Sequence, residues 1–204
     1  MSSHHFVKEQ QEPALLILDT EQLSFSRLES LLEWVPTVIV SQDAVFKTIS
    51  WGIKIDLIIA DQAFQEIHPD LPDAQYPVQF IDLDGESYLD AAMNYLIATG
   101  HHAASIVQWD HQKAGELEPY LKHLDLTFLD GILRYFPAKN GNVQKWFAEG
   151  SIQLHGREGQ FVEVRSEGLR DIAQIRHATF IEVNAGLVRL KSSQLFWVGC
   201  FLEA

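Results

Sequence analysis

The sequence predicts an α/β fold, in which a mostly parallel N-terminal sheet with flanking helices is followed by a small antiparallel β-sandwich domain. Two observations lead to this prediction. Short, continuously apolar runs alternate with amphipathic stretches up to residue 136, whereas later segments are separated by glycines and alternate apolar and charged residues. Continuous apolar runs are typical of parallel strands covered on both faces, and period-two alternation indicates strands with one face in water. We therefore expect an α/β domain over residues 12–136 and a β-sandwich over residues 137–204.

The elements of the first domain follow in order along the chain. Six apolar runs predict the strands of the parallel sheet: ALLIL, TVIV, DLIIA, VQFI, SIVQW and LTFL, which begin at Ala14, Thr37, Asp56, Val78, Ser105 and Leu126. Helical spacing of apolar side chains predicts two helices between them. These positions are Phe25, Leu28, Leu31 and Leu32 in the first helix, and Leu89, Ala92, Met93, Leu96 and Ile97 in the second. Pro36 and Gly100 are expected to end these helices.

The second domain is predicted from SIQLH, FVEV, FIEV and LVRL, which are short segments that glycines separate. FVEV and FIEV alternate apolar and charged residues, as strands with one wet face do. The last run, SSQLFWVGCFL, is the most apolar of this part. We expect it to form a strand that is central in its sheet or lies at a subunit contact.

Composition limits the classes of function. The 204 residues carry a formal net charge of −13, which argues against a surface that binds nucleic-acid phosphates or an anionic membrane. No run reaches the ~18 consecutive apolar residues of a membrane span, and the polar stretch Met1 to Gln11 is expected to be a frayed leader, not a signal peptide. The single cysteine, Cys200, cannot form an internal disulfide, which suits a reducing compartment. We therefore expect a cytoplasmic protein with no nucleic-acid or membrane partner.

Several common catalytic motifs are absent from the sequence. It contains no Walker-type loop G-x-x-x-x-G-K-[ST], no G-x-G-x-x-G fingerprint and no H-E-x-x-H helix. Its nine histidines also lack the spacing of metal ligands. The candidate functional groups are therefore the carboxylates that follow the predicted strands.

Asp61 follows the buried run DLIIA directly, and Asp82 and Asp84 follow VQFI. Ligands of open parallel sheets bind just beyond the carboxyl ends of the strands, so carboxylates there can reach a substrate or a metal ion. Each also has a structural interpretation. Asp61 can cap the next helix, and Asp82 and Asp84 with Gly85 can form a strand-to-helix turn. Asp43 is likewise either a ligand or the N-cap of the helix AVFKTIS.

The residues around Asp61 resemble the thiamine pyrophosphokinase family. The family pattern runs D-G-A-x-N, then G-I-x-P-D, then a strand leading into G-D-x-D-S, and this chain has VSQDAVFK, WGIKID and LIIADQAF. The spacing from Asp43 to Gly52 to Asp61 agrees within a residue. Further on, IDLDGESYLDAAMNYLIATG is similar to the family's D-x-D-x-T-D segment and its K-A-L-x-Y-L helix. The resemblance extends from about Val38 to Trp109, and more loosely through GLVRLKSSQLFWV.

The chain departs from the family pattern at several acidic positions. Ala63 stands where the second aspartate of G-D-x-D-S is found, and Gln42 aligns with the first aspartate of D-G-A unless a one-residue slip places Asp43 there. The family loop G-x-x-G-x-R-x-D-H aligns with QWDHQKAGE, in which Asp110 and His111 remain and the arginine is missing.

The resemblance implies a nucleotide-binding, catalytic domain followed by a thiamine-binding β-sandwich, and a homodimer that transfers a diphosphoryl group from ATP to thiamine with Mg²⁺. The products are thiamine diphosphate and AMP. It implies catalytic roles for Asp61 and Asp84, metal ligation by Asp61, Asp82 and Asp84, and cofactor binding by Asp43, Asp82, Asp110, Ser193 and Trp197. Trp197 has the alternative interpretation of core packing.

Three hypotheses of function follow from the match and its departures. In the first, the chain is a thiamine pyrophosphokinase-like protein whose activity is retained, weakened or lost. In the second, it is a non-catalytic relative that binds thiamine, thiamine diphosphate or a nucleotide as a sensor or partner subunit. In the third, it is a structural dimer with no small ligand.

Overall fold

The computed structural model describes residues 12–202, except for the side chain of Leu169. The expected frayed leader, Met1 to Gln11, lies outside the described residues. A parallel sheet with flanking helices and a separate four-stranded antiparallel sheet are both present, so the predicted fold class is confirmed. Within residues 12–202, no helix is long and apolar enough to cross a membrane.

The chain divides into two compact units. The first runs to Gln108 and also includes Pro119–Leu126. The second comprises Trp109–Glu118 and the residues from Thr127 onward.

The first unit contains a five-stranded parallel sheet. Its strands are β1 (Ala14–Ile17), β2 (Val38–Ser41), β3 (Leu57–Ala60), β4 (Gln79–Asp82) and β5 (Ala103–Val107), in the order β5-β1-β2-β3-β4. Every residue of β1, β2 and β3 is buried. This burial explains why their sequences are apolar without alternation, because both faces of a central parallel strand are covered.

Short helices connect these strands: α1 (Glu29–Leu32), α2 (Val45–Ser50), α3 (Gln62–Ile67), α4 (Leu71–Ala74) and α5 (Tyr88–Ala98). Two 3-10 helices, Phe25–Arg27 and His111–Tyr120, complete the set. The first predicted helix is broken into a 3-10 turn and the single turn α1. Val35 has a positive φ of 52°, and the following Pro36 disfavours α-helical geometry at that residue.

The second predicted helix, α5, has well-defined ends. Ser87 precedes it, and its hydroxyl accepts a hydrogen bond from the Asp90 amide at 3.1 Å. At the other end Gly100 has a φ of +77° and donates from its amide to the Ile97 carbonyl at 3.2 Å. A left-handed residue after the last turn is where glycine is favoured, so Gly100 ends this helix as predicted.

Over the described residues, the second unit contains eight whole strands and most of a ninth, β6, whose first two residues belong to the first unit. They are β6 (Asp125–Asp130), β7 (Leu133–Ala138), β8 (Asn142–Phe147), β9 (Gly150–His155), β10 (Phe161–Ser166), β11 (Leu169–Gln174), β12 (Thr179–Val183), β13 (Gly186–Lys191) and β14 (Phe196–Phe201). The domain boundary expected after residue 136 falls inside β7. The run LTFL lies in β6, which pairs antiparallel with β7.

The strands of the second unit form two antiparallel layers. One has the order β12-β9-β14-β7-β6 and the other β11-β10-β13-β8. Side chains of both layers, such as Leu154, Val164, Leu190 and Val198, share one buried cluster, which is the arrangement of a β-sandwich. The apolar last run forms β14, which lies between β7 and β9 and is therefore central, as predicted.

His101 ties the end of α5 to the start of β2. Its Nδ1 lies 2.8 Å from the Thr99 hydroxyl and its Nε2 lies 3.3 Å from the Thr37 hydroxyl. The residue is only 7% exposed. Burial, followed by the neighbouring charge of His102, lowers the pKa of His101 below its ordinary 6.5. The folded unit therefore holds this imidazole neutral.

We expect the folded state to lose stability as the pH falls below about 6.5, because the unfolded chain then binds a proton that folded His101 excludes. The contribution of neutral His101 to folding stability is complete above its pKa in the unfolded chain. It declines as the pH falls, until the pH reaches the lower pKa of His101 in the folded state. His101→Gln keeps hydrogen-bonding atoms but does not titrate. In this variant, the urea concentration at the unfolding midpoint should decrease less between about pH 7 and about pH 5 than it does in the wild type.

The matched control is His177→Gln, because His177 is exposed and its removal should leave the pH dependence unchanged. Identical slopes in the wild type and in both variants would contradict the assignment of acid sensitivity to His101.

Candidate functional site

Asp61 lies at the carboxyl end of β3 and is the N-cap of α3. One carboxylate oxygen, Oδ1, accepts from the Phe64 amide at 2.8 Å, and the other, Oδ2, accepts from Gln42 Nε2 at 3.0 Å. The hydrogen bond from Phe64, followed by that from Gln42, lowers the pKa of Asp61 below 3.8. Asp61 is therefore ionised near neutral pH, and the predicted capping role is present alongside any role in binding a ligand.

Gln42 follows β2 and joins it to the neighbouring strand end. Its side-chain oxygen accepts from the Asp61 amide at 2.8 Å while its nitrogen donates to the Asp61 carboxylate. A carboxylate at position 42 could accept from the amide but could not donate to Asp61. The amide is therefore suited to hold Asp61 without adding a second negative charge.

Asp43 reaches the same edge of the sheet by a different route. Burial, followed by the interaction of its hydroxyl with the Asp43 carboxylate and by the charges of Asp43 and Asp61, raises the pKa of Tyr88, the first residue of α5, to about 12. The alternative that Asp43 caps α2 is wrong, because the N-cap is Ala44 and no side chain bonds the helix end.

Asp82 is the last residue of β4 and pairs in register with Ala60 of β3. It therefore lies on the strand next to the one that leads into Asp61. Its Oδ1 accepts from Gln65 Nε2 at 2.8 Å, and the same nitrogen donates to the Ala60 carbonyl at 3.1 Å. Asp84 lies in the exposed turn between β4 and α5.

These carboxylates have the donor chemistry that Mg²⁺ prefers, because Mg²⁺ takes oxygen ligands and needs only one or two protein carboxylates beside water and phosphate. Asp61 and Asp82 would hold it, each with lone pairs left after its hydrogen bonds. However, the carboxylates of Asp61, Asp82 and Asp84 do not form a three-ligand cluster. Within the described part of the chain, ligand atoms within 4.8 Å of one another are found in Asp110, His111 and Asp130.

A partly exposed aromatic cluster accompanies Asp61. Phe64, in the first turn of α3, lies 4.6 Å from the ring of His68 and 6.1 Å from that of Phe46, measured between ring centroids. Phe46 on α2 is 51% exposed. Flat, partly exposed rings beside a charged group can stack on a heterocycle. In the sequence, the sign of this cluster is Phe64, which stands where the family pattern G-D-x-D-S has its serine.

A second polar cluster lies in the second unit, around His111. Asp130, at the end of β6, accepts from the His111 amide at 3.0 Å and lies 2.5 Å from His111 Nδ1. A carboxylate only accepts, so Nδ1 carries the proton. The other ring nitrogen, Nε2, lies 3.0 Å from Gln112 Nε2, an amide nitrogen that only donates. Asp110, a predicted binding residue, is exposed, with its carboxylate 3.8 Å from His111 Nδ1.

Packing fixes the orientation of the His111 ring. It stacks on Tyr135 with an interplanar angle of 3°, and His155 meets it edge-on with ring centroids 5.1 Å apart. Burial, followed by the charge of His111, lowers the pKa of His155, while Asp110 opposes that shift. The Tyr135 hydroxyl donates to Gln153. An imidazole held in one tautomer by a carboxylate can bind a metal ion or move a proton.

Asp130, Tyr135 and His155 were not predicted from the sequence, although one signal was present. Asp130 follows the apolar run LTFL directly, as Asp61 follows DLIIA, so the rule that selected Asp61 also applies to Asp130. The histidine spacing gave no sign of the cluster, because Asp130 and His155 reach His111 only through strand pairing.

The remaining predicted residues lie in the second unit. Ser193 is exposed in the loop before β14. Trp197 is 1% exposed, and its ring centroid lies 5.1 Å from that of Phe128. This arrangement is core packing, which was the alternative for Trp197. Its indole nitrogen is buried with no hydrogen-bond partner among the described residues, and contact of either residue with a ligand stays a prediction.

The first unit also has a cavity of about 610 Å³, at the opposite edge of the sheet from Asp61. Its walls include the first residues of three strands, Val38, Leu57 and Gln79, with Trp51 and Lys54 beside them. The cavity is therefore at the amino ends of the strands, whereas the carboxylates lie at the carboxyl ends.

Several solved structures with the same fold are thiamine pyrophosphokinases. That of Bacillus subtilis has a TM-score of 0.68 at 9% identity, over 94% of this chain and 100% of that chain. The protein from Candida albicans has a TM-score of 0.67 at 10% identity, over 97% and 91%. The yeast protein has a TM-score of 0.63 at 6% identity, over 93% and 86%.

No protein-family model matches the chain, and no curated protein matches it in sequence. At these identities a structural match shows a common fold, and it extends over nearly the whole of each chain. The chain therefore has the fold of the thiamine pyrophosphokinases, which the motifs around Asp61 predicted.

Proposed function

We propose that the chain is a thiamine pyrophosphokinase-like protein that transfers a diphosphoryl group from ATP to thiamine, giving thiamine diphosphate and AMP. The observation that supports this proposal best is the position of Asp61 and Asp82 at the ends of paired strands in a fold that thiamine pyrophosphokinases share. Ligands of such sheets bind beyond these strand ends.

The reaction needs positioned charge more than covalent chemistry from the protein. The thiamine hydroxyl oxygen bonds to the β-phosphorus of ATP, the bond from that phosphorus to the oxygen shared with the α-phosphorus breaks, and AMP leaves. The hydroxyl proton passes to a base. Mg²⁺, when bound, would neutralise phosphate charge.

Asp61 is ionised and fixed at both oxygens, so it can hold charge in place but has little freedom to move. Asp84 is exposed and free of the packing that fixes Asp61. We assign Asp61, together with Asp82, to positioning the metal ion and the nucleotide. We assign Asp84 to the hydroxyl group of thiamine, which accepts the diphosphoryl group. Asp43 and Asp110 would contribute to binding, as the family pattern implies.

A second function is favoured by the substitutions at the same site. Gln42 and Ala63 stand where the family pattern has carboxylates, and loss of a proton-transfer group typically costs a factor of ~10² to 10⁴ in rate. The alternative is a non-catalytic protein that binds thiamine, thiamine diphosphate or a nucleotide. In either case we propose a cytoplasmic homodimer with small-molecule partners.

Purified protein incubated with ATP, Mg²⁺ and thiamine should form thiamine diphosphate and AMP in equal amounts, because one diphosphoryl group moves per ATP consumed. Chromatography of both products measures this directly. The control reaction contains excess EDTA and should form neither.

Absence of product above the EDTA control would contradict the kinase proposal. A thermal-shift measurement tests the alternative of a non-catalytic binder, because a ligand at 100 times its Kd adds about 2.7 kcal/mol to the free energy of unfolding. Stabilisation by thiamine, thiamine diphosphate or ATP without turnover supports the non-catalytic binder. Neither turnover nor stabilisation would contradict both functions.

Asp61→Asn should separate the capping role of Asp61 from its charge. Asparagine caps helices about as well as aspartate, but its amide nitrogen cannot accept from Gln42 Nε2, so the variant should unfold only slightly below the wild-type temperature. It should nevertheless lose the stabilisation by ATP with Mg²⁺, because its side chain is neutral. Asp61→Ala should lower the unfolding temperature as well, since the Phe64 amide then has no acceptor.

The matched control is Asp70→Asn. Asp70 is the N-cap residue of α4, and its side chain makes no capping hydrogen bond, so it offers the same charge change at another helix start. An unchanged response of Asp61→Asn to ATP with Mg²⁺ would remove Asp61 from the site.

A further inference from the structure

A row of arginines crosses the four-stranded sheet of the second unit. Arg165 on β10 pairs in register with Arg189 on β13 and, on its other side, with Arg170 on β11. Residues directly opposite each other in antiparallel strands project from the same face. We call these three residues the arginine row.

The arginine row faces away from the core of its unit. The neighbours of Arg165 and Arg189 along the strands, Val164, Val188 and Leu190, are at most 3% exposed and belong to the buried cluster. Side chains alternate between faces along a strand, so the arginines lie on the opposite face. All three are exposed.

The row carries more positive charge than its neighbours neutralise. Arg165 is paired with Glu163 at 2.8 Å, whereas Arg189 donates from Nε and Nη2 to the neutral Gln144 oxygen at 3.1 and 2.7 Å. Over residues 12–202, no carboxylate lies within ion-pair distance of Arg170 or Arg189. Like charges directly opposite each other destabilise a sheet, so the row is costly to the unliganded fold.

A small depression opens between the arginines. Its volume is about 180 Å³, and it is lined by Gln144, Arg165, Ser166, Leu187 and Arg189. Sites for drug-sized ligands run to about 300–1,000 Å³, so this one suits a compact charged group. The Ser166 hydroxyl is buried and has no hydrogen-bond partner among the described residues.

An exposed aromatic ring lies on the same face. Trp146 pairs in register with Leu187, two residues along the strands from the pair formed by Gln144 and Arg189. Two residues of a strand span about 7 Å, so the indole and the guanidinium are near neighbours. Trp146 is 63% exposed, and its flat face is open to stacking.

We propose that this face binds a phosphorylated small molecule of the nucleotide class, with its phosphates on the arginine row and its ring on Trp146. Guanidinium groups pair with phosphate oxygens in a bidentate manner. The positive row also stands out in a chain with net charge −13, which disfavours a long polyanion but not a short one. This site is separate from the Asp61 carboxylates and does not depend on the proposed kinase function.

Isothermal titration of the full chain with pyrophosphate and with ADP tests the proposal. Both should bind, and ADP should bind more tightly because its ring adds stacking. Arg189→Gln and Arg165→Gln should each weaken both ligands by about 10-fold to 100-fold, the usual worth of a charge-assisted hydrogen bond. Arg157→Gln, an equal charge change at an exposed loop residue, should leave both affinities unchanged.

Two further variants separate the parts of the ligand and of the protein. Trp146→Ala should weaken the binding of ADP but not the binding of pyrophosphate. Asp61→Asn should leave pyrophosphate binding unchanged, which distinguishes this site from the proposed kinase site. Without ligand, Arg189→Gln should unfold at or above the wild-type temperature, because it relieves repulsion in the row.

The proposal is overturned if Arg189→Gln and Arg165→Gln bind pyrophosphate as the wild type does, or if Arg157→Gln weakens it equally. Binding confined to oligonucleotides would instead identify a nucleic-acid surface. A salt-sensitive oligomer that Arg189→Gln dissociates would show that a second copy of the chain occupies the face. Either result contradicts a small-molecule site.

Discussion

The hydrogen bonds that converge on the Asp61 carboxylate hold the end of β2, the end of β3 and the start of α3 in one arrangement. Gln42 supplies the link to β2, and the Phe64 amide supplies the link to α3. An unpaired amide at a helix start, or an unpaired buried amide at a strand end, costs free energy that water does not recover in a packed site. The mutual positions of Gln42, Asp61 and the Phe64 amide therefore depend on that one side chain.

The same hydrogen bonds explain the unusual composition of the edge. A second carboxylate at position 42 would repel Asp61 and would leave the Asp61 oxygen without its donor. Gln42 removes both problems, because an amide donates with one atom and accepts with the other. With Gln42, this edge of the sheet has a neutral side chain that is hydrogen-bonded to Asp61 at both polar atoms. The site then has less negative charge with which to attract a cation. Stability and metal affinity therefore oppose each other here.

The sequence was sufficient to predict what depends on local pattern. The continuous apolar runs located β1 to β5, the spacing of Leu89 and Leu96 located α5, and the strand-end rule selected Asp61. The interpretation of Asp43 as a helix cap failed because the turn after β2 places the cap at Ala44, a shift of one residue that propensity does not resolve.

Contacts that depend on the pairing of distant segments were not accessible in the same way. His111 and Asp130 are brought together by the turn after β5 and the strand β6, and Arg165 meets Arg170 and Arg189 through the register of three antiparallel strands. A slip of one residue in that register would turn the arginines of one strand into the core. The sequence alternation indicates which residues share a face, but not which residues on different strands become neighbours.

The Asp61 region and the arginine row therefore differ in whether their hydrogen-bonding groups already have partners when no ligand is bound. Around Asp61 each carboxylate oxygen has a donor, so a ligand must compete with existing hydrogen bonds. On the arginine row Arg165 is paired with Glu163, but the donors of Arg189 meet a neutral amide and those of Arg170 meet no carboxylate among the described residues. An anion at Arg189 would therefore add interactions without breaking an ion pair. Binding energy comes from the difference between bound and free states. On that ground the arginine row is the better prepared of the two regions to take up phosphate.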